Sequence, residues 1–142
     1  MIYDYTQKSV KSLYININID LLKVNKTLKI SSPISFQDCV IKGECMVGSF
    51  TYFGKKCEIR NTKIGNYCSI SAEVIINPFN HPTNYLSTSG FVFGDNGGFS
   101  NIESFQNIKV KPVNNHTQNN VKIGNDVWIG RRAMIMGGGN CG

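Results

Sequence analysis

An all-β chain wound as a parallel solenoid is the fold this sequence predicts, and three observations predict it. An apolar residue followed by a glycine or another small residue recurs every six residues, as in Phe53-Gly54, Ile64-Gly65, Ile70-Ser71, Ile123-Gly124 and Ile129-Gly130. Small residues recur at the fifth position of the same frame. The frame stops once, for a long stretch, and then resumes in kind. A period of six matches neither the 3.6 of a helix nor the 2 of a plain strand. It matches a coil that turns a corner every six residues, so that each turn of chain buries the next. A sandwich of antiparallel strands would place its hairpin turns at longer or irregular intervals.

Residues 1–34 lie outside the frame and are expected to form an N-terminal cap segment. Within them Ile15-Asn16-Ile17-Asn18-Ile19 alternates with period two and reads as a strand. A stack of repeats needs such a covered end to stay soluble. The β-helix domain is expected over residues 35–142. Position one reads Ser35, Ile41, Val47, Phe53 and Ile59, with Cys39, Cys45, Thr51, Cys57 and Lys63 at position five. The frame slips by one and continues at Ile64, Ile70 and Ile76, with Cys68, Val74 and Asn80 at position five. An excursion loop over 77–120 follows. The frame returns at Ile123, Ile129 and Ile135, with Val127, Ala133 and Gly139. Glycine beside position one suits tight corners, because it lacks a Cβ and accepts unusual backbone angles.

The 142 residues suffice for one domain with a modest core. The formal charge of +6 comes from scattered lysines and arginines, without a basic run, so nucleic acid is not an expected partner. No apolar run is long enough to cross a membrane, and the N-terminus does not read as a signal peptide. A cytoplasmic protein with no membrane partner is expected. Of five cysteines, four (Cys39, Cys45, Cys57, Cys68) share position five, where a thiol serves as a small interior hydrophobe. No Cys-x-x-Cys or Cys/His spacing is present, so no metal is expected.

The excursion is too long for an ordinary connection, and such loops usually carry function. It holds both histidines of the chain. His116 sits in the polar run Asn114-Asn115-His116-Thr117-Gln118-Asn119-Asn120 and reads as a solvated residue. His81 stands where the solenoid opens into the loop, anchored on one side, and is the candidate catalytic residue. Two histidines are too few for a three-histidine metal enzyme on this scaffold, such as a γ-type carbonic anhydrase.

The hexads resemble those of the hexapeptide-repeat acyltransferases. Asn80-His81-Pro82-Thr83 with Leu86-Ser87-Thr88, and Gly124-Asn125-Asp126-Val127-Trp128-Ile129-Gly130-Arg131 beyond the loop, resemble the xenobiotic and polysaccharide O-acetyltransferase branch. The matches cover roughly residues 35–140. The resemblance implies a left-handed parallel β-helix, a homotrimer with sites between neighbours, and acetyl-CoA as co-substrate. It implies His81 as general base, with Trp128, Gly130 and Arg131 near the cofactor. Asn80 and Tyr85 are the candidates for binding the acceptor, a saccharide or another small molecule. The implied reaction moves acetyl to a saccharide hydroxyl. Transfer to an antibiotic such as a streptogramin or chloramphenicol is the alternative acceptor. A truncated, catalytically weak solenoid that only assembles or binds is the alternative of another class. The chain stops in mid-repeat at Gly138-Gly139-Asn140-Cys141-Gly142, where related enzymes continue, so a truncated product or a fragment is expected.

Overall fold

A computed structural model describes residues 2–5, 16–17, 23–31, 33–81, 83, 85, 87–90, 101–106 and 120–142. His116 therefore lies outside the described residues. The chain divides into two compact units, one of residues 1–78 with 118–142 and one of residues 79–117. No helix among the described residues is long and apolar enough to cross a membrane.

The first unit is a parallel β-solenoid, as the six-residue period predicts. One face stacks β2 (Asn16–Ile17), β4 (Ile34–Gln37), β6 (Thr51–Lys55), β9 (Ser69–Ile70) and β12 (Trp128–Ile129). A second face stacks the start of β5 (Val40–Val47) with β7 (Glu58–Arg60), β10 (Ile75–Ile76) and β13 (Met134–Ile135). The third stacks the end of β5 with β8 (Thr62–Ile64), β11 (Val121–Ile123) and β14 (Asn140–Cys141). β3 (Lys23–Ser31) runs parallel along all of β5, and β1 (Ile2–Tyr5) pairs antiparallel with the end of β3. Parallel ladders thus extend upstream of Ser35.

Paired residues lie 17 positions apart, as Tyr52 with Ser69, or 18, as Ile41 with Ile59. One coil is three hexads, sometimes less one residue. Inward side chains form columns through the coils. Phe36, Phe53, Ile70 and Ile129 are buried under the first face, with the two rings stacked at 4.6 Å. Ile41, Ile59 and Ile76 fill the second, and Ile30, Val47, Ile64 and Ile123 the third. Each fully buried aliphatic or aromatic side chain contributes about 1.5–3 kcal/mol. Two details of the frame differ from the sequence reading. Phe36, not Ser35, points inward, because β4 shifts register after Ser35. Thr62, not Lys63, takes the small-residue place, since the missing residue falls at the corner where β5 has Gly43 and the next coil has Asn61.

Columns of small residues sit beneath the corners. Cys39, Cys45, Cys57 and Cys68 are all buried in them as free thiols, while Cys141 is half-buried. The Cys57 thiol donates to the Ser71 carbonyl at 3.1 Å, and that of Cys68 to the Gly124 carbonyl at 3.1 Å. Burial pushes the Cys45 thiol up from its ordinary range. The hydrogen bond with Cys57, then burial, holds the Cys39 thiol up. Neutral sulfur is what a narrow apolar interior accepts.

The corners assign glycine a different role from the one its backbone freedom suggests. Left-handed backbone at the corners is carried mostly by side-chain-bearing residues, among them Phe50, Lys56, Tyr67, Glu73 and Arg132, at φ of 59, 59, 60, 62 and 62°, with Gly43 at 71° an exception. Such a conformation costs an L-residue about 1–2 kcal/mol. Hydrogen bonds to the preceding coil offset it, as Tyr67 N–H to the Ser49 carbonyl and Glu73 N–H to the Lys55 carbonyl, 2.9 and 2.8 Å. Gly48, Gly54 and Gly65 serve close approach instead: a Cβ on Gly65 would lie 2.5 Å from the Gly124 carbonyl oxygen. Gly65→Ala should therefore lower the unfolding free energy by about 1–3 kcal/mol. At Gly130 an added Cβ meets nothing within 4 Å, and Gly130→Ala should stay within about 0.5 kcal/mol. Urea melts of the two variants check this; equal losses would refute the packing argument. Asparagines lock the same corner from coil to coil. Ser49 N–H donates to Asn66 Oδ1 at 2.9 Å, and Asn66 N–H to Asn125 Oδ1 at 2.8 Å.

The excursion leaves from the corner after Ile76, beside the buried Asn77. Ile64 pairs with Ile123, 59 positions on, so this coil carries about 42 residues more than its neighbours while the ladder keeps its register. The second unit, residues 79–117, holds the single described helix, α1 (Glu103–Gln106).

Candidate functional site

In the excursion unit, Asn80, His81 and Tyr85 share one irregular segment and are all exposed, as Thr88 is. His81 Nδ1 lies 2.6 Å from the backbone carbonyl of Thr88, seven residues on. A carbonyl oxygen only accepts, so Nδ1 must carry the proton. In the neutral imidazole the basic lone pair then belongs to Nε2. The contact closes a short loop, and the Ser89 N–H donating to Ser87 Oγ at 3.1 Å shapes the turn beyond it. The segment that suggested a motif in the sequence is thus folded back on its own histidine. Pro82, Asn84 and Leu86 lie outside the described residues.

In the solenoid unit, alternation along β12 sends Ile129 inward and Trp128 outward, with Trp128 78% exposed. Trp128 pairs in register with Ser69, and Ser69 with Tyr52, so an outward column reads Tyr52, Ser69, Trp128. Gly130 follows at the next corner, with open space where other corner glycines meet the backbone of a neighbouring coil. Trp128 thus presents an exposed indole two residues before Gly130.

Arg131 and Arg132 are both exposed and both claimed by one carboxylate. Arg132 Nε donates to Glu73 Oε2 at 2.7 Å, and Arg131 Nη2 donates to Glu73 Oε1. Glu73 stands one coil back on the same corner, a position with no mark in the hexad frame, so sequence reasoning missed it. Its pairing shows only once coil stacking brings residue 73 under residue 132. The hydrogen bonds from Arg132 and then Arg131 hold the Glu73 carboxyl down to about 2. A depressed carboxylate contributes stability above its unfolded value, here 4.5, and loses it as pH falls toward 2. Between pH 4.5 and 2 the wild-type urea midpoint should fall, and Glu73→Gln should flatten that part of the curve. An unchanged slope in the variant would remove Glu73 from the linkage. Two guanidiniums against one carboxylate leave the corner with one surplus positive charge.

Among the described residues no group of three His, Cys, Asp or Glu side chains could hold a metal ion. The structure brings Arg131 and Arg132 together on Glu73, groups Asn80, His81 and Tyr85 in one segment, and places exposed Trp128 on β12 with Gly130 just past its end. Compared with family models, with curated proteins and with solved structures, the chain matches none.

Proposed function

We propose that the chain is an acetyl-CoA-dependent O-acetyltransferase acting on a saccharide hydroxyl, with His81 as general base. The observation that supports it most is the 2.6 Å contact from His81 Nδ1 to the Thr88 carbonyl. It selects the tautomer in which Nε2 is basic, the arrangement an acyl-transfer base needs. In the proposed reaction the acceptor oxygen attacks the thioester carbonyl as its proton passes to Nε2. The tetrahedral intermediate then collapses, the C–S bond breaks, and the imidazolium returns the proton to the leaving thiolate. No covalent intermediate on the protein is required.

The remaining residues fit supporting roles. Exposed Trp128, with open space at Gly130, offers an apolar surface to the cofactor's pantetheine arm, and the surplus charge beside Arg131 suits a phosphate. Asn80 and Tyr85, in the segment of His81, supply an amide and a phenol for acceptor hydroxyls. Exposed Tyr52, Trp128 and Met134 give the solenoid apolar surface to bury in a homotrimer.

Calorimetry with acetyl-CoA, followed by acetyl transfer to a panel of saccharides and of hydroxyl-bearing antibiotics, tests the reading. Binding with turnover of a saccharide supports it. Turnover only of a streptogramin or chloramphenicol would move the acceptor assignment, and no detectable acetyl-CoA binding would remove the enzyme reading.

A further inference from the structure

The third face of the solenoid presents a column of lysines. In-register pairing reads Lys29, Met46, Lys63, Lys122 and Asn140 across successive strands, all exposed. Neighbouring strands lie about 4.8 Å apart. Lys63 and Lys122 therefore face each other directly, an arrangement that destabilises a ladder. The second face treats its cations differently: Glu58 takes Lys42 at 2.7 Å and Arg60 at 3.7 Å. Among the described residues no carboxylate pairs with Lys29, Lys63 or Lys122. Glu44 does line the same surface, so the strip is not purely cationic, but three ammonium groups outweigh it.

Two grooves of about 440 and 570 Å³ flank the column, and Met46 and Lys63 line both. Lys29, Glu44 and Asn61 contribute to the first, and Lys122, Asn125 and Asn140 to the second. At the adjoining corner Phe50 and Tyr67 are exposed and stack on each other at 4.9 Å, within 2° of parallel. The lining thus combines ammonium groups one or two strands apart, amide side chains and an apolar strip.

We propose that this face binds an acidic glycan, a linear saccharide bearing carboxylates along its length. Carboxylates pair with Lys29, Lys63 and Lys122, ring hydroxyls meet the asparagine amides, and the apolar sides of the sugar rings lie over Met46 and the Phe50–Tyr67 edge. A single-stranded nucleic acid fits less well. It needs a run of aromatic faces for successive bases, and here the two rings form a single stack at one corner while the lysine column itself carries Met46 and asparagines. As the acceptor of the proposed transfer the glycan rests on that reading; as a bound ligand it does not.

The test measures binding of the full chain to a polyuronate, a neutral glucan of equal length, a single-stranded oligonucleotide and tripolyphosphate, at low and high salt. The expected result is tightest binding to the polyuronate, weakening steeply with salt. Lys63→Gln with Lys122→Gln should weaken it about tenfold or more, with an unchanged circular dichroism spectrum. Lys56→Gln, an exposed charge at another corner, should not change it. Equal binding of the neutral glucan, preference for the oligonucleotide or tripolyphosphate, or full affinity in the double variant would overturn the proposal. A chain that transfers acetyl yet ignores polyuronate sinks the glycan site alone, and one that binds polyuronate through Lys63 and Lys122 without binding acetyl-CoA sinks the transferase reading alone.

Discussion

Phe53→Ala should lower the unfolding free energy by about 3–5 kcal/mol, the largest stability effect expected of a single substitution in this chain. Phe53 is fully buried and its ring stacks on Phe36 at 4.6 Å, within 9° of parallel. Alanine would remove the ring and leave a void that Ile70, one coil on, can fill only in part. The loss is severe because a solenoid passes one narrow column through every coil, so a gap in one coil unsupports the next. Its neighbour supplies the control. Tyr52 lies on the same strand, is 52% exposed and points outward, so Tyr52→Ala should cost less than about 1 kcal/mol. Denaturant unfolding of both variants measures the contrast, and similar losses would mean that the inward and outward sides of β6 are misassigned.

Removal of His81 should have the largest effect on activity. If it is the base, His81→Ala should lower acetyl transfer by about 10²–10⁴-fold, with acetyl-CoA affinity unchanged. A structural role would also reduce turnover, because the imidazole holds the loop to the Thr88 carbonyl. His81→Asn separates the two roles. Its amide can still donate to that carbonyl but cannot accept a proton at neutral pH. A base requires Asn to be as inactive as Ala, whereas a purely structural histidine would let Asn recover most of the rate. Tyr85→Phe should change the acceptor KM more than kcat.

Much of the solenoid was legible because stacking makes the code local. A buried Ile41 demands a buried Ile59 one coil later, and a thiol at Cys39 matches one at Cys57, so repetition in the sequence is repetition in space. Less legible were features that depend on what lies one coil above. The strand Lys23–Ser31 pairs with the whole of Val40–Val47, yet its corner carries Lys26 and Thr27 where a glycine signal would be sought. The clash that makes Gly65 necessary comes from Gly124, 59 residues away. Glu73 was silent for the same reason. At the candidate site, His81 could be singled out by its place at the mouth of the excursion. Its partner could not, because a backbone carbonyl leaves no trace in residue identity.

The in-register return after the excursion has a consequence for how the molecule assembles in time. Closing Val47 against Ile64 spans 17 residues, while closing Ile64 against Ile123 spans 59. Chain-closure entropy makes the longer step about 1 kcal/mol less favourable, and it is made onto a strand that must already exist. Coils ahead of the excursion can therefore zip up by short-range winding, and residues 121–142 then dock onto a finished template. Amide protons of Val121–Ile123 and Trp128–Ile129 should be the last of the solenoid to gain protection during refolding and the first to lose it. On this order Trp128 and the Glu73–Arg132 clasp are set in place together, in that last docking step.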